Sequence, residues 1–181
     1  GIQDGGRSIV SNVGLVRALQ FPRALLPISV VIGNIFTLGF ELAVLASLAI
    51  LTGEGVSTRW LALPFVIALQ TTLVMGGAFV TARLTDSFRD MQQLIPFVFR
   101  LVQFVSGVMY PIDRYITNAH GFFRTVLTWN PIAPIIDLYR WVLMGTPIDL
   151  AALARSSIIS VALLWVGFRY FIAAEARYGR P

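Results

Sequence analysis

Four apolar runs dominate the 181-residue sequence and restrict what it can fold into. They cover residues 28–51, 61–84, 94–110 and 156–174. The hydrocarbon core of a bilayer is about 30 Å thick, and roughly 20 apolar residues cross it as an α-helix. A transmembrane β-strand needs only about half that length, so the runs favour helices. The sequence therefore predicts an all-α integral membrane protein with four transmembrane helices, in a single domain over residues 1–181.

The composition agrees with this class of protein. Hydrophobic residues make up 56% of the chain and charged residues 13%, whereas soluble domains have roughly 45–50% and about 25%. The 14 basic residues are all arginines and lie mostly near the ends of the apolar runs, where positive charge fixes orientation. We therefore expect contacts with membrane lipids and none with nucleic acid. The chain has no cysteine, which excludes disulfides and thiolate metal sites.

Arginine is unevenly distributed between the two sides of the membrane. Four spans place both ends of the chain on one side, together with the loop over residues 85–93. The segments on this side hold more arginine for their length than the opposite loops, which favours cytoplasmic ends. The sequence thus predicts a multi-pass protein of the plasma (inner) membrane, with residues 111–153 facing outward.

The outer segment contains apolar stretches that are too short to cross a membrane. Residues 116–128 predict an interfacial helix, and residues 132–143 predict a second helix that begins after Asn130-Pro131 and stops at Gly145. About 12 helical residues reach only some 18 Å. Non-helical backbone at membrane depth is stable only inside protein or beside a water-filled cavity. A complete span followed by apolar stretches too short to cross therefore indicates transport. We predict two short re-entrant helices that form an outer gate.

Glu41 lies inside the first span and shares a helix face with Asn34 and Thr37. An intramembrane carboxylate is a functional candidate. Two alternatives remain open: a hydrogen bond between helices, with Gln70 of the next span as partner, or a polar pore lining or proton site. Unchanged transport in a Glu41→Gln variant would exclude the proton site.

Arg100 and Gln103 lie inside the third span. Arg100 either extends back to the cytoplasmic headgroups or lines a path and binds an anionic group such as a pyrophosphate. Phe97 and Phe104 lie nearby, and they form either a lipid-facing and packing surface or a surface on which sugars stack. Both alternatives remain open for Arg100, and both remain open for the two phenylalanines.

The sequence offers little support for an enzyme. The GxxxxGK[ST] phosphate loop is absent from the chain, so it does not itself hydrolyse ATP. His120 is the only histidine, and a metal site needs three or four ligands. A membrane glycosyltransferase or phosphatase needs clustered carboxylates or histidines. Asp86 and Asp90 are the only close carboxylate pair, and no base accompanies them.

Several short motifs along the chain resemble those of the type-2 ABC exporter permeases. In chain order they are Asn12 to Arg17, Phe21-Pro22-Arg23, Phe88-Arg89-Asp90, Val108 to Pro111, Asn130-Pro131 and Tyr139-Arg140 followed by Gly145. The chain is most similar to the branch that exports lipid-linked polysaccharides: O-antigen, teichoic acid or actinobacterial cell-wall galactan. Within the same fold, an exporter of a drug or a small lipid is the alternative.

The resemblance implies a homodimer with a transport path between two copies of the permease. It also implies two separate ATPase subunits that hold ATP and magnesium, with no cofactor on this chain. Permeases of this family have six spans, and this chain matches the last four, so we expect further residues before Gly1. Residues 1–27 would form a cytoplasmic segment coupled to the ATPase. The residues implied in that contact are Asn12, Leu15, Val16, Arg17, Phe21 and Arg23.

The resemblance implies that Phe97, Arg100 and Phe104 line the translocation path and that residues 110–145 form the outer gate. Gln103 and Glu41 join the predicted path as polar residues inside spans, so the path consists of Phe97, Arg100, Gln103, Phe104 and Glu41. The predicted outer gate consists of Tyr110, Pro111, Asn130, Pro131, Tyr139 and Arg140.

Overall fold

The regular elements of the protein are helical throughout the part that the structure describes. The computed structural model describes residues 1–11, 22–51, 57–88, 90–106, 125 and 128–178. The helices are α1 (Ile2–Ser11), α2 (Leu25–Leu51), a 3₁₀ helix (Thr58–Ala62) that leads into α3 (Leu63–Ser87), α4 (Met91–Val105), α5 (Ile132–Met144) and α6 (Leu150–Tyr178). The predicted all-α fold is confirmed for these ranges.

Among the described residues, three helical stretches are long and apolar enough to cross a membrane: Leu25–Leu51, Thr58–Ser87 and Leu150–Ala173. They correspond to the first, second and fourth apolar runs of the sequence. The third run forms α4, whose 15 residues extend about 22 Å at the helical rise. Residues 107–110, which complete that run, lie outside the described ranges. The fourth crossing stays a prediction.

Helix α3 is the centre of the bundle. Its most apolar window is 39% buried against other described residues, compared with 6% for the corresponding window of α2 and 17% for that of α6. Helices α1, α2, α5 and α6 all pack against α3. The arrangement leaves most of the surface of α2 and α6 turned away from the chain's own core.

Small residues bring the backbones of α3, α6 and α1 close together. A Cβ atom on Gly76 would lie 2.6 Å from the backbone nitrogen of Leu164, and one on Gly167 would lie 2.6 Å from the carbonyl oxygen of Gly76. A Cβ on the neighbouring Gly77 would lie 2.8 Å from the side chain of Ile2. Gly76 therefore permits the α3–α6 contact and Gly77 the α1–α3 contact, as small residues do where helices approach closely inside membranes.

Two apolar clusters lie along α3, one on each half of the helix. In the first half, α3 packs against α5; the buried residues are Val66, Leu69, Leu73, Ile135, Leu138 and Val142. In the second half, α3 packs against α1 and α6; the buried residues are Ile9, Phe79, Ala82 and Phe171. The first part of the predicted coupling segment thus contains a helix, α1, that belongs to the bundle.

Helix α5 begins and ends where the sequence predicts. The Asn130 side-chain oxygen accepts a hydrogen bond from the Ile132 backbone N–H at 3.0 Å, which satisfies one of the free N–H groups in the first turn of the helix. At the other end, Gly145 adopts a left-handed conformation with φ of 72°, and its N–H donates to the carbonyl of Trp141. The helix break at Asn130-Pro131 and the stop at Gly145 are confirmed.

Candidate translocation site

One face of α4 carries the predicted aromatic and arginine residues. Phe97, Arg100 and Phe104 recur at helical spacing, and the two phenylalanines are 60% and 63% exposed. Arg100 and Gln103 are exposed as well. The opposite face, with Phe99 among its residues, is turned towards the bundle. The structure therefore places four of the five predicted path residues on surfaces of α4 that the rest of the described chain leaves open.

The guanidinium of Arg100 has no partner in the described part of the chain: neither an ion pair nor a hydrogen bond involves it. The residue lies about 14 Å along α4 from Met91 at the helical rise. Its side chain is therefore available either for a headgroup or for an anionic substrate group, the two uses that the sequence left open.

An apolar crevice of about 490 Å³ separates α4 from the rest of the bundle. An engineered apolar cavity of only about 150 Å³ is large enough to hold benzene. The walls of the crevice come from α1, α3, α4, α5 and α6 and include Leu73, Gly77, Phe99, Val102 and Leu163. Helix α4 is thus only partly packed against α3, and few contacts hold it in position.

A hydrogen-bonded junction fixes the end of α4 to the start of α5. The Asn130 side-chain amide donates to the Ser106 hydroxyl at 2.9 Å, while its oxygen accepts from the Ile132 N–H at the start of α5. From α6, the Ser156 hydroxyl donates to the Pro131 carbonyl at 2.6 Å. Ser106 and Ser156 are each 1% exposed. The structure thus joins Asn130 and Pro131, predicted as gate residues, to two serines that no sequence motif indicates.

Tyr139 and Arg140 occupy different environments on α5. The Arg140 guanidinium forms an exposed ion pair with Asp137, with 3.1 Å between Nη1 and Oδ1. The Tyr139 ring packs against the α3–α5 cluster, and burial raises the pKa of its hydroxyl to about 12. The hydroxyl therefore stays protonated, and it has no hydrogen-bond partner among the described residues.

Two further buried donors lie at the same end of the bundle. Trp60 Nε1 and Arg155 Nε have no partner among the described residues, like the hydroxyl of Tyr139. Trp60 also packs against the α3–α5 cluster, and Arg155 lies in the first turns of α6. No sequence pattern indicates these two donors, because only the packing of α3 against α5 shows that they are enclosed.

Glu41 lies away from the α4 face. It lines a pocket of about 180 Å³ between α2 and α3, together with Asn34, Thr37, Gln70 and Thr71. No residue of α4 is among the lining residues. The sequence correctly paired Glu41 with Gln70 in space, but the described residues show no hydrogen bond between them. A role for Glu41 in the path stays a prediction.

Most of the predicted coupling residues lie outside the described ranges, as do two of the gate residues. These are Asn12, Leu15, Val16, Arg17, Phe21, Tyr110 and Pro111. Arg23 is described: it lies half-buried in the turn that leads into α2, and its carbonyl accepts a hydrogen bond from Leu26 at 3.2 Å. The coupling role stays a prediction for all six residues.

Comparison with known proteins gives a consistent family. The family described as ABC-2 type transporter matches residues 14–144. The O-antigen export system permease protein RfbA of Myxococcus xanthus is 25% identical over 92% of this chain and 64% of its own length. The protein of the same name from Klebsiella pneumoniae is 22% identical over 94% of this chain and 65% of its own length.

A relative with a different name also matches. Nodulation protein J of Rhizobium meliloti (strain 1021) is 29% identical over 78% of this chain and 56% of its own length. The chain therefore spans less than two thirds of the length of these curated relatives.

Proposed function

The chain belongs to the ABC-2 type transporter family, and we propose that it is the membrane-spanning part of a permease subunit that exports lipid-linked polysaccharide. Two of the relatives described above are named permeases of O-antigen export systems, and O-antigen is a polysaccharide. Energy would come from ATP hydrolysis on two separate ATPase subunits, since this chain contains no phosphate-binding loop.

The exposed face of α4 is the observation that carries the proposal. Arg100 offers an unpaired guanidinium, which binds phosphate oxygens through paired hydrogen bonds. Phe97 and Phe104 lie on the same face and offer flat apolar surfaces on which sugar rings stack. A lipid-linked polysaccharide presents both chemistries: an anionic linkage and a chain of sugars.

The direction of that face supports a path between two copies of the permease. Because α4 turns Phe97 and Arg100 away from its own chain, a second copy in the dimer would provide the opposite wall. Helix α5, packed against the first half of α3, would lie at the outer end of this path as a re-entrant gate helix. This arrangement uses four crossings, with α4 as the third and both chain ends in the cytoplasm.

Depletion of the full-length permease tests the cargo. We expect lipid-linked glycan to accumulate on the cytoplasmic side of the plasma membrane while surface polysaccharide falls, and expression of the wild-type permease to restore both. A depleted cell that accumulates no lipid-linked glycan would exclude polysaccharide as the cargo. Accumulation of a different lipid or a drug in that cell would instead support the alternative exporter.

A further inference from the structure

A shallow groove of about 660 Å³ runs along the side of α6 that faces away from the bundle. Its lining residues all belong to α6: Ser157, Ile158, Val161, Ala162 and Trp165. The lining is almost entirely apolar. The hydroxyl of Ser157 donates to the Leu153 carbonyl at 2.9 Å, so it is satisfied within the helix. The groove therefore suits a hydrocarbon chain and has no polar group left to bind a polar one.

An arginine lies one helical turn beyond the groove. The guanidinium carbon of Arg169 lies over the Trp165 ring, 5.9 Å from its centroid, where the face of the ring attracts a cation. Arg169 is exposed, and no carboxylate of the described residues forms an ion pair with it. The apolar groove thus ends at a cation that lacks a counterion in the described part of the chain.

Contacts between α3 and α6 place this arginine at the edge of the hydrocarbon core. The segment from Leu61 to Ala82 contains no charged residue and extends about 33 Å at the helical rise, close to the thickness of the core. Arg83, the next residue, therefore marks the edge. Its guanidinium lies over the Tyr170 ring, 3.8 Å from the centroid, and donates to the Tyr170 carbonyl. Arg169 consequently lies at the same level.

The groove and Arg169 together match the depth of one leaflet. Along α6, Ser157 is about 12 Å from Trp165, and Arg169 is about 6 Å further on. One leaflet contributes about half of the 30 Å hydrocarbon core, or about 15 Å. The groove therefore extends from headgroup level to about the middle of the bilayer. The leaflet is the one on the side where α3 and α6 end, which is the cytoplasmic leaflet in the topology proposed above.

We propose that this groove binds a phospholipid with a net negative headgroup, of the phosphatidylglycerol type. Its phosphate contacts Arg169, and one acyl chain lies along the groove as far as Ser157. Arginine binds phosphate oxygens through paired hydrogen bonds. A zwitterionic lipid carries a cation of its own, which Arg169 repels, so charge complementarity favours the anionic lipid.

The proposed lipid site is separate from the proposed translocation path. Leu163, which lines the crevice behind α4, lies on the opposite side of α6 from the groove. No residue of α4 lines the groove. The lipid site therefore does not depend on the cargo that the permease exports.

Quenching of Trp165 by brominated lipids tests the site in the full-length permease. The permease is reconstituted in vesicles of phosphatidylglycerol and phosphatidylcholine, with bromine on the acyl chains of one lipid or the other. Bromine quenches a tryptophan that its chain touches. Each variant is measured with and without an additional Trp165→Phe substitution, and the difference is the signal of Trp165. The dependence of quenching on mole fraction gives the relative binding constants of the two lipids.

We expect Trp165 to prefer phosphatidylglycerol by about fivefold, the attraction that one arginine near a membrane surface provides. Arg169→Gln should abolish this preference. Arg177→Gln is the matched control, because it removes the same charge about 12 Å further along α6, and we expect the preference to remain.

Three results would overturn the proposal. Equal quenching by the two lipids in the wild type would mean that the groove is ordinary lipid-facing surface. Quenching by neither lipid would mean that another helix or a second copy of the chain covers it. An equal loss of preference in Arg169→Gln and Arg177→Gln would mean that the charge of the whole surface attracts the lipid.

A second reporter tests whether the acyl chain lies along the groove. Ser157→Trp, combined with Trp165→Phe, puts the reporter at the far end of the groove, about 18 Å from Arg169 along α6. Bromine at the end of the phosphatidylglycerol chain should quench this reporter with the same preference, and Arg169→Gln should remove it. A preference that is present at position 165 and absent at position 157 would contradict a chain in the groove.

Discussion

The polar residues of the described bundle fall into two groups, according to whether the chain itself satisfies them. Ser106, Asn130 and Ser156 are hydrogen-bonded within the bundle and fix α4, α5 and α6 to one another. Arg100 and Glu41 have no such partners. Because an unsatisfied polar group is costly inside a membrane, we expect Arg100 and Glu41 to find partners in other molecules or in residues beyond the described ones.

Asn130 is the residue on which the α4–α5 junction depends. Its alanine variant loses two hydrogen bonds, each worth about 0.5–1.5 kcal/mol: the one from the Ile132 N–H and the one to the buried hydroxyl of Ser106. We expect a lower unfolding temperature of the detergent-purified permease and reduced export. Asn130→Asp separates the two bonds, because it keeps an oxygen that accepts from Ile132 but has no donor for the Ser106 hydroxyl, which itself donates to the Val102 carbonyl, so we expect this variant to lose stability as well. An alanine variant as stable as the wild type would contradict the role of the junction.

Substitutions of Arg100 distinguish a role in the translocation path from a role as a membrane anchor. A hydrogen bond to a charged group contributes about 1.5–3 kcal/mol, so Arg100→Ala should reduce export roughly tenfold or more. Arg100→Lys keeps the charge but loses the paired geometry, and we expect an intermediate rate. Export is measured per molecule of permease in the membrane. Normal export per molecule with reduced abundance of the alanine variant would instead identify a headgroup anchor.

For the long helices, the sequence predicted which segments are helical well, but it predicted the residues at which the helices begin and end less well. Helix α6 begins at Leu150, six residues before the predicted span, because the Asp149 side chain accepts a hydrogen bond from the Ala151 N–H at 2.8 Å and caps it. A hydropathy window follows only the apolar part of the helix and leaves out such a first turn. Helix α2 begins at Leu25 and includes Pro27, which a first helical turn tolerates.

Helix α1 lies in the segment predicted to couple to the ATPase and was not predicted as part of the bundle, for a reason that lies elsewhere in the chain. Its Gly5 and Gly6 lower helix propensity in isolation. In the bundle they are needed, because a Cβ on Gly6 would lie 2.9 Å from the Thr81 hydroxyl. The α4 site shows the same limit: spacing indicated that Phe97, Arg100 and Phe104 share a face, but only the packing of α4 shows that the face is open.

Gly76 sets the distance between α3 and α6. We expect Gly76→Ala to destabilise the full-length permease by about 1–3 kcal/mol, because the added carbon meets backbone atoms of α6 and the helices must separate. Gly39→Ala on α2 is the control. Nothing lies within 4 Å of its added carbon, and alanine favours a helix by up to about 1 kcal/mol. Thermal unfolding measures both. Equal stability of the two variants would show that Gly76 does not limit the contact.

At the scale of the whole molecule, the number of crossings decides which side each loop faces. Single cysteines at Ser57, Asp90 and Asp149 distinguish four crossings from three. With α4 as a crossing, positions 57 and 149 should react with an impermeant maleimide from outside, and position 90 only after permeabilisation. If α4 does not cross, position 149 will react only after permeabilisation, together with position 90.

The central claim is that this chain forms part of an ATP-driven path for lipid-linked polysaccharide. The most direct measurement places the full-length permease and its ATPase in proteoliposomes with a lipid-linked glycan. Movement of the glycan across the bilayer is then followed with and without ATP. We expect ATP-dependent movement of the glycan, which the Arg100→Ala variant reduces strongly. Hydrolysis of ATP without any movement of the glycan, or equal movement by the wild type and the Arg100→Ala variant, would contradict it.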